Sequence, residues 1–102
     1  MILEVADIRI QPSAQAEFEK AVYHGLDSVL SLAKGFQSYE VRHCVEKPER
    51  YLLLIKWDTL EDHTVNFRLS PAHAAWREIV GGFFAQPPYV EHFKVVQTPQ
   101  SE

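Results

Sequence analysis

The 102-residue chain predicts an α+β, ferredoxin-like domain of β-α-β-β-α-β order, with a four-stranded antiparallel sheet and its helices on one face. Three observations lead there. Segments rich in β-branched and aromatic residues stand at both ends of the chain and as a close pair in the middle. Between them run two stretches whose apolar residues recur at helical spacing. Glycine and proline punctuate the places where one element must give way to the next.

The first strand is Ile2 to Ile10, ending at Gln11-Pro12. Ser13 offers a hydroxyl for an N-cap. From Ala14 onward Phe18, Val22, Gly25, Leu26, Val29 and Ala33 fall on one arc, with Glu17, Lys20, His24, Asp27 and Ser31 opposite. The helix should run to Lys34 and stop at Gly35, which can take a positive φ, with Phe36 packing back. Phe36 to Val45 alternates as a strand, Glu46 to Arg50 reads as a hairpin connection, and Tyr51 to Trp57 is nearly apolar throughout. A strand of that last kind is covered on both faces. The helices cover only one face of such a sheet, so the other should be buried against a second copy, in a symmetric homodimer joined through the sheet faces.

Thr59 and Asp62 approximate a capping box for a helix on which Leu60, His63, Thr64 and Phe67 share an arc. Ser70-Pro71 restarts the helix as N-cap and first residue. Ala72, Trp76, Ile79, Val80 and Phe83 form its buried face, and His73 lies at the edge of that arc. Gly81-Gly82 weakens its end and Pro87-Pro88 closes it. Tyr89 to Val96 alternates as the last strand, so a single domain should span residues 1–96, with 97–102 a loose polar tail.

Composition narrows the function. Apolar residues make up 46% and charged residues 24%, as in an ordinary globular protein, and net charge is −4. Acidic and basic residues are mixed along the chain without a basic stripe, which argues against nucleic acid as a partner. Cys44 is the one cysteine, so no intramolecular disulfide forms and a reducing, cytoplasmic setting is the simpler expectation. It reads as a buried small residue on its strand. The N-terminus lacks the pattern of a signal peptide, and no stretch approaches the roughly 20 apolar residues needed to span a bilayer, so no membrane is expected. No glycine-rich phosphate loop, nucleophile elbow or Ser-His-Asp order appears. None of the five histidines has metal-ligand spacing to another His or Cys, so no metal centre is expected.

The stretch "YLLLIKWDTLEDHTVNFRLSPAHAAWREIV" resembles the antibiotic biosynthesis monooxygenase family, whose hallmark is a strand ending in Trp, a short turn, and a helix with His and aromatics before Ser-Pro. Here those are Trp57, Asp58-Thr59, His63, Phe67 and Ser70-Pro71. The resemblance implies a dimeric α/β barrel with its site between sheet and helices. It further implies a choice among cofactor-free oxygenation of phenols, quinols or anthrone-like aromatics, haem degradation, and proteins of no assigned activity. Haem-degrading relatives place an Asn on the first strand and a Trp and a His on the helices. The only Asn here is Asn66, the first strand offers Asp7 and Arg9, and Trp76 and Arg77 stand where the haem-ligating His is expected, with His73 a turn earlier.

His63 is thus the candidate catalytic base, facing the cavity beside Leu60 and Phe67. It would deprotonate a phenol or an activated carbon, and the resulting anion would reduce O2 without metal, flavin or other cofactor. Trp57, Phe67, Trp76 and Phe83 are the candidate walls for a flat aromatic substrate. His73 reads as a boundary residue of its helix, His24 as solvated, and His43 and His92 as strand residues lining a barrel or an interface. The alternative reading is a non-catalytic dimeric barrel that binds a small hydrophobic ligand.

Overall fold

The computed structural model describes residues 1–99. It contains β1 (Ile2–Arg9), α1 (Gln15–Ser28), β2 (Phe36–His43), β3 (Arg50–Trp57), α2 (Pro71–Val80) and β4 (Tyr89–Lys94), with a π-helical turn at Asp62–Phe67 before α2. The strands form one sheet in the order β2-β3-β1-β4, with every neighbouring pair antiparallel. This is the ferredoxin-like α+β arrangement the sequence predicts. Gln97 to Pro99 carry no secondary structure, and the rest of the expected tail, 100–102, lies outside the described residues.

Period-two alternation decides which side chains face the helices. Glu4, Ala6 and Ile8 of β1 are buried beneath them, as are Tyr51, Leu53, Ile55 and Trp57 of β3. The register sets Glu4 opposite Ile55 on one side and opposite His92 on the other. Ile55, Glu4 and His92 therefore form one row across the inner face, and Ala6 with Leu53 and Val90 forms the next. Both rows floor the site described below.

The core joins this face to Phe18, Val22 and Leu26 of α1, to Leu30, and to Val80 of α2. Each such side chain contributes about 1.5–3 kcal/mol by leaving water. The two helices meet at Gly25, where a Cβ would come within 2.7 Å of the Trp76 ring. Only a residue without a side chain lets that indole lie against α1.

Three local expectations change. Ser13 is not an N-cap: it adopts φ 64° within the turn after Pro12, and Ala14 takes the cap position with no side-chain bond. The α1 helix stops at Ser28, six residues early, and Leu30–Leu32 form a 3₁₀ turn. There the hydroxyls of Ser28 and Ser31 donate to the His24 and Asp27 carbonyls at 2.6 Å, the local competition that weakens helix interiors. That turn sends Leu30 into the core and leaves Leu32 in solvent. Gly35 does take a positive φ, 83°, against the Asp62 side chain. Cys44, finally, is half-buried at the strand end, its thiol toward Glu46.

The opposite sheet face carries Leu3 and Val5 on β1, Leu52 and Leu54 on β3, and Tyr89 and Phe93 on β4, aligned by the register. No helix covers them, and Tyr89 and Phe93 remain half exposed. Alternate residues of β3 thus serve two faces: Tyr51, Leu53, Ile55 and Trp57 the core, and Leu52 and Leu54 a mixed second face that also bears Asp7, Glu40, Arg42, Lys56 and Glu91.

Candidate functional site

The site begins with the turn between β3 and α2. Thr59 Oγ1 accepts the Asp62 N–H at 3.1 Å, the capping bond the sequence predicts. The chain then winds wider than an α-helix, with the Arg68 N–H donating to the His63 carbonyl five residues back at 3.1 Å. Single π-helical turns of this kind recur at functional sites. The winding buries His63 and Phe67 together, with Val65 and Asn66 in solvent.

His63 lies flat over Trp57, ring centroids 5.3 Å apart, and next to Phe67. Its two nitrogens are both engaged. Nδ1 is 2.7 Å from His92 Nε2, and Nε2 is 3.3 Å from Glu4 Oε1. The same Glu4 oxygen accepts the Trp57 indole N–H at 2.9 Å. The result is a continuous polar chain, Trp57–Glu4–His63–His92, set in an apolar interior.

Burial dominates its electrostatics. Taken from water, the Glu4 carboxyl is pushed up to about 7, opposed by the Trp57 hydrogen bond and by the Arg68 charge. The His63 imidazole is pushed down to about 4, first by burial and then by His92, Arg68 and His73. His73 and His92 are lowered as well, chiefly by burial. Both shifts within the central pair favour its uncharged form, a carboxylic acid beside a neutral imidazole. Near neutrality Glu4 is therefore poised to exchange a proton, and His63 is a neutral partner that can give or accept a hydrogen bond.

Glu4 and His63 border a cavity of about 570 Å³ between sheet and helices. Its floor is Ala6, Leu53 and Ile55, its walls include Phe67, Trp76 and Phe84, and its exposed side bears Arg68 and Arg77. The volume is that of a small-molecule site, mostly apolar with a few convergent polar groups.

Of the residues singled out in the sequence, His63, Phe67 and Trp76 do border this cavity. Trp57 and Phe83 do not. Trp57 is wholly buried under His63 and reaches the site through its bond to Glu4 and its packing on His63 and Phe67. Phe83 turns to Phe18, and its neighbour Phe84 takes the wall position, because α2 gives way to a 3₁₀ turn at Gly81–Phe83 that rotates the phase. His73, expected to be a boundary residue, is half-buried and lines the cavity edge-on to Phe67.

Glu4 was not singled out in the sequence. Its signal was there: an acid in phase with Ala6, Ile8 and Ile10, on the buried side of an alternating strand. His92 joins it only through the β1–β4 register. His63 lies between Glu4 and His92 and turns one nitrogen to each, so the three do not converge on a point. Among the described residues no group of three or more His, Cys, Asp or Glu could hold a metal ion.

A ferredoxin-like domain with an acid and a histidine buried at the edge of an apolar cavity is thus the class of protein in hand. The family model for antibiotic biosynthesis monooxygenases matches residues 1–79, and the chain belongs to that family. The uncharacterized protein YczJ of Bacillus subtilis (strain 168) is 36% identical over 96 residues, covering 94% of this chain and all of that one. A crystal structure from Bordetella bronchiseptica, provisionally assigned as an antibiotic biosynthesis monooxygenase, superposes with a TM-score of 0.89 at 36% identity, covering 94% of this chain and 97% of the other. A second provisional assignment, from Caulobacter crescentus CB15, gives 0.79 at 22% identity over 94% and 90% of the two chains, a likeness of fold. No helix among the described residues is long and apolar enough to cross a membrane.

Proposed function

We propose that the cavity is the active site of a cofactor-independent monooxygenase acting on a small phenolic, quinol or anthrone-like aromatic. The observation that carries this reading is the buried Glu4–His63 pair at the edge of an apolar, aromatic-walled space. His63 alone is a weak base at a pKa of about 4 with both nitrogens engaged. Glu4, at about 7, lies near the optimum for proton transfer at neutral pH. Glu4 accordingly takes the substrate proton, with His63 holding the carboxylate in place and Phe67 and Trp76 flanking the ring.

The chemistry balances without a further reductant. Loss of a proton leaves a substrate anion that passes one electron to O2. Recombination of the two radicals forms a C–O bond and a peroxide anion, which becomes a hydroperoxide by taking the proton back from Glu4. Loss of a second C–H proton with cleavage of the O–O bond leaves a carbonyl and water, so a CH₂ group and O2 become C=O and H₂O. An apolar interior favours the first electron transfer by leaving the substrate anion poorly solvated.

The working unit is proposed to be a homodimer, its two sheets packed through Leu3, Val5, Leu52, Leu54, Tyr89 and Phe93. That pairing would remove the half-exposed aromatics of β4 from water.

Oxygen uptake with a panel of hydroquinones and anthrones tests the reading. Glu4→Gln should lower uptake by about 10²–10⁴-fold, the usual contribution of a positioned base, and His63→Ala should lower it by releasing the carboxylate. Absent uptake, or uptake untouched by both substitutions, overturns it. Retained binding of the same aromatics would then favour the non-catalytic ligand-binding alternative, and a Soret shift on titration with haem would favour a haem protein.

A further inference from the structure

We propose that the ligand of this cavity is an anionic aromatic, a phenol or quinol bearing a carboxylate or similar fixed negative charge, held by Arg68 and Arg77 at the rim with its ring inside. The inference deepens the function proposed above and rests on the cavity being the substrate site.

The arginines are divided by their partners. Arg9 and Arg50 both reach Asp7, and Arg42 reaches Glu40. Among the described residues Arg68 and Arg77 make neither an ion pair nor a side-chain hydrogen bond. These same two line the cavity from its solvent side. In a chain of net charge −4, the guanidinium groups left unneutralised by neighbours thus stand where a ligand enters.

Their charge reaches inward. Arg68 acts on Glu4, His63, His73 and His92, and Arg77 acts on His73. His73 lies one turn before Arg77 on α2 and also lines the cavity, so its ring can add a hydrogen bond to the same group. Elsewhere the lining offers an anion little. The floor of Ala6, Leu53 and Ile55 has no side-chain donor, and Glu4, the one acid in the lining, already takes Trp57 and His63. A negatively charged group is therefore favoured at the rim and disfavoured deeper.

Such anchoring also orients the substrate. A carboxylate seated on a guanidinium fork fixes the far end of a rigid ring system, directing the opposite carbon toward Glu4. A neutral analogue keeps the apolar contacts and loses the anchor.

Isothermal titration with naphthoate and its neutral isostere naphthamide separates the possibilities, since neither probe turns over. In the wild type naphthoate should bind about tenfold or more tighter than naphthamide, the usual worth of a hydrogen bond to a charged group. The Arg68→Gln/Arg77→Gln double variant should lose that preference and leave naphthamide affinity unchanged, with the fold checked by circular dichroism. The Arg68→Lys/Arg77→Lys variant should recover part of it, and added salt should weaken naphthoate alone. Equal affinity for the two probes in the wild type, or a preference that survives in the double Gln variant, overturns the inference while leaving the cavity reading intact. Binding of neither probe overturns both.

Discussion

Glu4 and His63 meet at 3.3 Å with side chains only 8% and 7% exposed, an acid and an imidazole enclosed together under the helices. Burial displaces the two in opposite directions, Glu4 up to about 7 and His63 down to about 4. Between those values the folded pair holds one proton, on the carboxyl. In the unfolded chain it also holds one, on the imidazole, because an ordinary Glu has lost its proton by then and an ordinary His has not. Unfolding moves the proton without changing its number.

Stability should therefore show little dependence on pH from this pair between about 4.5 and 6.5, and each single substitution should uncover a slope. In His63→Phe only Glu4 remains. Its folded pKa lies above the unfolded one, so relative stability should fall as pH rises from about 4.5 to 7. In Glu4→Gln only His63 remains. Its folded pKa lies below the unfolded one, so relative stability should rise with pH from about 4 to 6.5. Each slope should approach about 1.4 kcal/mol per pH unit, moderated by the neighbouring Arg68, His73 and His92. Urea denaturation across this range, compared with wild type, measures both; profiles as flat as the wild type in both variants would mean that burial does not displace the two groups.

Gly25→Ala tests the helix crossing. The change favours the helix by about 1 kcal/mol, yet sets a Cβ at 2.7 Å from the Trp76 ring. A rigid indole held between α1 and the cavity cannot swing aside as a flexible chain end would, and overpacking costs about 1–3 kcal/mol. A net loss of up to about 2 kcal/mol is expected, which thermal unfolding would read as a drop of several degrees. Because Trp76 is also a cavity wall, aromatic ligand affinity should fall with it. Unchanged stability and affinity would show that the two helices have room to separate.

Leu54→Glu tests the sheet face. Leu54 is half-buried on the side of β3 away from the helices, across from Val5 on β1. A carboxylate there should cost the protomer little but should prevent two such faces from meeting. Sedimentation should find a wild-type dimer at micromolar concentration and a folded Leu54→Glu monomer. A wild-type monomer would remove the interface proposed here.

The amphipathic patterns carried the architecture, since local periodicity reports which face of a strand or helix is apolar whatever it later packs against. The order of elements along the chain, the positive φ of Gly35, the Ser70-Pro71 restart and the inward turn of His63 were all legible in local sequence. The interior of the site was not. His92 lies 29 positions beyond His63, and Glu4 59 before it, so their meeting depends on strand register, a long-range property without a local trace. The phase of α2 past Gly81 moved the wall from Phe83 to Phe84 for a similar reason, a change of helix type costing less than a residue's worth of rotation. Periodicity located His63; only the packed sheet supplied the acid beneath it and moved the proton from the imidazole to the carboxyl.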